Sequence, residues 1–256
     1  MTLLDEIIAK TRNRVEARKL EVPIDKLPGR QTEFRSLIDA IERCRGPPVI
    51  AEVKPRSPSA GILRQNLDII AQAKSYEAGG AVGISVLTEP DYFGGNLENL
   101  IKVRQNVTLP VLRKDFIIDD YQILESMAYD ADAVLLIVSC LGDRLPDFVD
   151  LVEDIGTEAL VECHSMIEVE KAVTTGATLI GVNNRDLDTM KIDLNLTKEL
   201  AKYVPQDRIL VSESGINTPD DVRFLLDSGA KAVLIGAALM KAENVEQKLM
   251  ELQGVL

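Results

Sequence analysis

Ile209-Leu210-Val211-Ser212-Glu213-Ser214-Gly215, then Pro219-Asp220-Asp221-Val222-Arg223-Phe224-Leu225-Leu226-Asp227-Ser228-Gly229-Ala230, then Ala232-Val233-Leu234-Ile235-Gly236: this stretch decides the fold. Its first run is short, apolar and β-branched, with no strict alternation, as in a strand buried on both faces. The middle segment has helical spacing. Gly229 stands just past its end, where a glycine tolerates the positive φ of a helix cap. A second apolar run follows at once, so the unit reads as strand, helix, strand.

The same unit recurs along the whole chain. Strands are predicted at Val49–Lys54, Ala81–Leu87, Val111–Lys114, Ala133–Val138, Ala159–Glu162, Leu179–Asn183, Ile209–Glu213 and Ala232–Ile235. Helices are predicted between or after them at Leu67–Glu77, Asn96–Gln105, Tyr121–Ala128, Asp147–Ile155, Met166–Thr174, Leu194–Tyr203, Pro219–Asp227 and Val245–Leu252. Strand starts are spaced about 20–33 residues apart, which suits βα units. Ala78-Gly79-Gly80-Ala81 and Thr175-Gly176-Ala177 repeat the helix-end glycine that leads into a strand. Eight such units close into an α/β (β/α)8 barrel, a TIM barrel, and 256 residues is the usual length for one. The alternative, a doubly wound open sheet, lacks its Gly-x-Gly-x-x-Gly phosphate turn after every predicted strand. No linker divides the chain, so residues 1–256 are expected to form a single barrel domain. Residues 1–46 make a helical extension before strand one, with helices at Leu3–Lys19 and Thr32–Arg43. A barrel does not require them; they plug the N-terminal mouth, cover the active face, or do neither.

Composition narrows the function. The formal net charge is −12, which favours solubility and argues against nucleic acid as a partner. Cys44, Cys140 and Cys163 form no Cys-x-x-Cys pair, so reduced thiols and a cytoplasmic location are expected. His164 is the single histidine, which disfavours a multi-histidine metal site and a histidine-based triad. No metal and no cofactor is expected. No apolar stretch reaches the ~18 residues of a membrane span, and Met1 to Lys10 does not read as a targeting segment.

In such barrels the chemistry sits at the C-terminal ends of the strands. Strand one ends in Glu52-Val53-Lys54, strand three in Arg113-Lys114-Asp115, strand five in Glu162, strand six in Asn183-Asn184-Arg185, and strand seven in Glu213-Ser214. Side chains two apart on a strand leave the same face, so Glu52 and Lys54 are expected to enter one cavity together. A single charged strand end is ordinary solvation, and ion pairs across the mouth are the structural alternative. Five of eight strands ending this way point to catalysis or ligand binding. Ser214-Gly215 and Gly236-Ala237 follow the last two strands, where barrels often bind phosphate on backbone N–H groups.

These residues resemble a known family. Ile50 to Gly61 closely resembles the first strand and loop of indole-3-glycerol phosphate synthase. So do Leu87-Thr88-Glu89 with Tyr92-Phe93, Arg113-Lys114-Asp115-Phe116-Ile117, Leu160-Val161-Glu162-Cys163-His164, Gly181 to Leu187, and Ser212-Glu213-Ser214-Gly215-Ile216. The likeness spans nearly the whole chain and includes the helices before strand one. It implies ring closure, with decarboxylation and dehydration, of 1-(2-carboxyphenylamino)-1-deoxyribulose 5-phosphate, a step of tryptophan biosynthesis. It further implies that Lys114 is the general acid of ring closure and Glu162 a general acid/base. Lys54, held by Glu52, contacts substrate and acts in dehydration. Asn183, Glu213 and Ser214 contact the sugar hydroxyls, and Arg185 positions the substrate. Ser57, Gly215, Gly236 and Ala237 lie near the phosphate, while Phe93, Phe116 and Pro58 line the aromatic pocket. Two positions depart from the family pattern: Ala237, where a hydroxyl or acid is common, and Arg56, where lysine is common.

Chemistry adds one expectation. A lysine acid with an ordinary pKa near ~10.4 recycles poorly, so burial or another ammonium is expected to lower it, and Lys54 and Lys114 can do this to each other. Three rival readings make different demands on these residues. A phosphoribosylanthranilate isomerase type would pair a cysteine with an aspartate at strand ends. A Schiff-base aldolase would use one of the two lysines covalently. A non-catalytic barrel would not retain acid/base residues. A monomer is expected rather than an obligate oligomer.

Overall fold

The computed structural model describes residues 2–187 and 189–255. Eight parallel strands close on themselves: β1 (Val49–Val53), β2 (Gly83–Leu87), β3 (Val111–Lys114), β4 (Ala133–Ile137), β5 (Glu158–Cys163), β6 (Leu179–Asn183), β7 (Ile209–Glu213) and β8 (Ala232–Ile235). The closure pairs β1 with β8 through Val49↔Val233 and Ala51↔Ile235, and with β2 through Ile50↔Gly83 and Val53↔Val86. The eight strands and eight following helices stand where the periodicity puts them, with ends shifted by a few residues. Leu194–Tyr203 is the one that changes character: an α-helix at Asn195–Leu200 tightens into a 3-10 turn at Ala201–Tyr203.

Alternation along the strands builds two apolar layers. Ile50, Leu112, Leu135, Leu160, Leu179, Val211 and Leu234 face inward and fill the barrel. Val49, Val53, Val86, Val134, Leu136, Val161, Val182, Leu210 and Val233 face outward and pack under the helices. Both sets are buried, which is why these strands read as continuous apolar runs. Each such side chain contributes about 1.5–3 kcal/mol of burial.

The two N-terminal helices divide the work between the barrel's two ends. Helix α2 (Leu37–Glu42) closes the N-terminal mouth, with Leu37 and Ile41 in the inward cluster. Gly83 makes this possible, because a β-carbon there would come within 2.6 Å of Leu37 Cδ1. Glu158 at the start of β5 accepts from Leu37 N at 2.8 Å and Ser36 Oγ at 2.6 Å, placing an acid on the positive end of the helix. The helix expected from Thr32 begins only at Leu37. Gln31 N and Thr32 N donate to Asp130 Oδ1, and Arg35 N donates to Asp132 Oδ1. Those donors anchor an extended segment to the barrel, in competition with a helical turn.

Helix α1 (Leu3–Glu21) begins at a capping box formed by Thr2 and Asp5. It docks at the C-terminal side through Arg18 to Glu125 (2.9 Å), Lys19 to Asp119 (2.7 Å) and Arg14 to Asp91 (2.8 Å). Elements not foreseen are a hairpin with strands at Arg56–Ser57 and Gly61–Ile62, short helices at Val138–Leu141 and Ala237–Lys241, and 3-10 turns at Ile24–Lys26 and Gly142–Arg144. Each has five residues or fewer, too short for periodicity to register.

Candidate active site

The inward parity that places Ile50 in the barrel core also directs Glu52 and Lys54 inward one and two steps higher. The same rule carries Leu112 to Lys114, Leu160 to Glu162, Val211 to Glu213, and Leu179 through Gly181 to Asn183. These side chains meet in one cavity of about 290 Å³ at the C-terminal end. Ser57, Pro58, Phe93, Phe116, Arg185, Ser214, Gly215, Gly236 and Ala237 also line it, so all fifteen residues singled out in the sequence are brought together.

Lys114 is the centre of its polar wall. Its Nζ donates to Glu162 Oε2 at 2.9 Å and to Glu213 Oε2 at 2.7 Å. Burial disfavours its charge, but the carboxylates of Glu162, Glu213 and Glu52 outweigh that and raise its proton affinity. The expected lowering of Lys114 by Lys54 is therefore wrong. Lys54 is neutralised by Glu52, and the carboxylates nearest Lys114 dominate its field. The two carboxylates on Lys114 are driven apart. Burial raises Glu162, yet Lys114, His164 and a hydrogen bond from Asn183 together hold it below the ordinary range. Burial pushes Glu213 up to about 7, with Lys114 opposing and the Glu162 charge reinforcing the rise.

Glu52 and Lys54 form an ion pair on β1. Gly236 explains how the carboxylate fits: a β-carbon at position 236 would collide with Glu52 Oε2 and lie 3.1 Å from Lys54 Nζ. The glycine after β8 thus makes room for this pair, besides any role beside an anion. Glu52 Oε1 and Glu213 Oε1 are buried acceptors with no partner among the described residues.

The apolar wall is built by a loop that one carboxylate folds. Buried Glu89 accepts from the backbone N–H groups of Asp91 (3.0 Å), Tyr92 (2.7 Å) and Phe93 (3.0 Å). That turn delivers Phe93 to Phe116, with ring centroids 6.0 Å apart. Arg113 and Asp115, on either side of Lys114, point the other way. They pair at 3.2 Å behind the strand, where Arg113 also meets Glu125 at 3.0 Å. Arg56 pins the hairpin to the same loop, since its Nε donates to Tyr92 O at 2.9 Å and its guanidinium also reaches Asp91 O.

The remaining wall follows β6 and β7. Asn183 faces inward, whereas Asn184 turns behind the strand, donating to Ser212 Oγ at 3.0 Å and accepting from Thr197 Oγ1 at 2.8 Å. Arg185 Nη1 donates to Met190 O at 3.2 Å. Gly215 has φ +88, and a β-carbon there would meet Ile192 Cγ2 at 2.5 Å, so two constraints require glycine. The sequence reading missed Leu3, Leu4 and Ile7 of α1, and Met190, Ile192 and Lys241, which also line the cavity. The amphipathic spacing of the first ten residues was the available signal for α1, but spacing does not say what a helix covers. Among the described residues, no group of three or more His, Cys, Asp or Glu side chains is placed to hold a metal ion. No helix among them is long and apolar enough to cross a membrane.

Comparison with known proteins identifies the relatives of this chain. A family model described as indole-3-glycerol phosphate synthase matches residues 4–252. An indole-3-glycerol phosphate synthase of a Thermoanaerobacter species is 43% identical, over 93% of this chain and 92% of that protein. One of Acetivibrio thermocellus is 41% identical, over 99% of this chain and all of its relative's length. Among solved structures, the thiamine phosphate pyrophosphorylase from Pyrococcus furiosus superposes with a TM-score of 0.63 at 18% identity, covering 82% of this chain and 94% of its own. At that identity the likeness speaks for the barrel fold alone.

Proposed function

This chain belongs to the indole-3-glycerol phosphate synthase family, and we propose that Lys114, Glu162 and Lys54 carry that family's reaction in the cavity above β1, β3 and β5. The activity is conversion of 1-(2-carboxyphenylamino)-1-deoxyribulose 5-phosphate to indole-3-glycerol phosphate, with loss of carbon dioxide and water, in tryptophan biosynthesis. The observation that supports these roles is the placement of the Lys114 ammonium between two buried carboxylates, beside the paired phenylalanines.

The substrate's aromatic ring lies against Phe93, Phe116 and Pro58. Its phosphate lies at Ser57, Gly215, Gly236 and Ala237, where backbone N–H groups receive an anion. Lys114 gives a proton to the sugar carbonyl oxygen as the ring carbon attacks it. Because the surrounding carboxylates keep Lys114 charged, the acid form is fully populated at neutral pH; the cost is a smaller driving force for transfer. Decarboxylation then restores the aromatic ring. Lys54, oriented by Glu52, assists departure of the hydroxyl as water, and Glu162 exchanges protons with the substrate. Asn183, Glu213 and Ser214 hold the sugar hydroxyls, and Arg185 positions the substrate. The monomer is the working unit, since one chain supplies every lining residue named here. The three unpaired thiols suit a reducing compartment such as the cytoplasm.

The test is a fluorescence assay of the purified chain with the carboxyphenylamino substrate. Growth of the indole signal is expected in wild type, and its loss in Lys114→Met and Glu162→Gln. Wild-type turnover in both variants would overturn the residue assignments.

A further inference from the structure

His164 is the chain's single histidine, and it stands directly behind Glu162. Its Nε2 is 3.5 Å from Glu162 Oε1, the oxygen opposite the one that Lys114 holds. Its Nδ1 is 3.5 Å from Glu168 Oε2. Nε2 is buried and has no hydrogen-bond partner among the described residues. Exposure rises outward along this row: the side chain of Glu162 is 3% exposed, His164 19% and Glu168 21%. The imidazole therefore bridges a buried carboxylate and a carboxylate that solvent reaches.

The reaction needs such a bridge. The substrate carboxylate leaves as neutral carbon dioxide and the carbonyl oxygen leaves as water. Two protons are delivered to that oxygen and one comes back from the new ring, so each turnover draws one proton from solvent. Glu162 and Lys114 line the cavity, whereas His164 does not, so the imidazole approaches Glu162 from outside the space that substrate would fill. We propose that His164 relays protons between Glu162 and solvent by way of Glu168. This inference rests on Glu162 being the acid/base.

In the relay, Nδ1 takes a proton from the Glu168 carboxyl while Nε2 gives one to Glu162 Oε1. To reset, the ring swings Nε2 to solvent, where it takes up a proton while Nδ1 releases one, and the starting tautomer returns. Imidazole suits this role because it gains and loses its proton near neutral pH. Burial works against its charge, but the hydrogen bond to Glu168 and the charges of Glu162, Glu168 and Glu213 raise its proton affinity. Other titratable groups close by are Cys140 on the helix Val138–Leu141 and Cys163 beside His164, both near Glu162 and Glu168, whose thiols burial pushes up and so leaves uncharged, and Lys114 on the other oxygen of Glu162.

His164→Gln and His164→Asn keep a polar side chain that does not titrate. Each is expected to lower kcat by about 10-fold with KM little changed, to flatten the pH dependence of kcat, and to fold as wild type does. In His164→Ala, added imidazole should restore part of the rate in proportion to its concentration. A wild-type kcat and pH profile in both polar variants would overturn the relay. So would a loss that neither pH nor imidazole moves, because that is the mark of a packing role. Glu162→Gln separates the two readings. If it is inactive while the His164 variants are normal, the relay alone fails. If Glu162→Gln turns over normally, the acid/base reading fails and takes the relay with it.

Discussion

Lys114 on β3 and Glu213 on β7 are joined across the barrel by a 2.7 Å hydrogen bond, although both are largely buried. The same ammonium also serves Glu162, so one cation neutralises two carboxylates. Lys114→Met would leave both uncompensated. A positioned general acid is worth roughly 10²–10⁴ in rate. Lys114→Met is therefore expected to lose at least that in kcat, with a smaller change in KM and an unchanged circular dichroism spectrum. A variant keeping more than about a third of wild-type turnover, far outside that range, would remove Lys114 from the reaction.

Glu213 should make stability depend on pH. Its folded pKa is raised to about 7 from the usual 4.5, chiefly by burial. Between those values the folded state binds more protons than the unfolded state, so this group's contribution falls as pH rises through the window. Glu213→Gln removes the ionisation. The variant should be more stable than wild type at about pH 8, and the gain should shrink towards about pH 5. Thermal melts of both proteins at the two pH values measure it; a gain that grows towards acid would reverse the assignment. The same substitution should reduce activity, a trade of stability for a functional charge.

The barrel was legible because its strands are buried on both faces and its helices on one, which leaves different apolar periods in the chain. Inward parity then carried Glu52, Lys54, Lys114, Glu162, Asn183 and Glu213 to the same end without any knowledge of contacts. What spacing does not encode is pairing across the barrel. Lys114 and Lys54 read as two neighbouring cations. Lys54 keeps to Glu52 on its own strand, but the carboxylates that Lys114 meets depend on β3, β5 and β7 coming together around the ring, and that reversed the expected direction of the Lys114 shift. Gly236 is a second case. Its position after β8 suggested an anion site, whereas the steric need for glycine there comes from Glu52, far away in sequence.

That finding separates two roles at the end of β8. Gly236→Ala places a methyl group against the Glu52 carboxylate and should displace the Glu52–Lys54 pair. We expect kcat to fall with the phosphate affinity largely kept. Ser57→Asp instead adds a negative charge on the loop after β1, close to the proposed phosphate. It should raise KM for substrate by about 10-fold, a cost of roughly 1.4 kcal/mol, with kcat less affected. Steady-state kinetics and competition by inorganic phosphate read both. An unchanged KM in Ser57→Asp would mean that the phosphate lies elsewhere.

Glu52 and Lys54 should behave as one unit. They are ion-paired inside the cavity, and Glu52 is about 1% exposed. Opposite charges shielded from water interact more strongly than on a surface. Removing Lys54 strands a buried carboxylate; removing the Glu52 charge frees the ammonium to turn away from the substrate. Each single change therefore abolishes what the other residue contributes. Glu52→Gln and Lys54→Met should each lower kcat/KM by about 10-fold or more, and the double variant should be little worse than the more damaged single. An ordinary solvated pair would be worth ~0–1 kcal/mol, and its losses would add. The double-mutant cycle on kcat/KM distinguishes the two: strictly additive losses, or near-normal activity in both singles, would show that Glu52 does not hold Lys54 for the reaction.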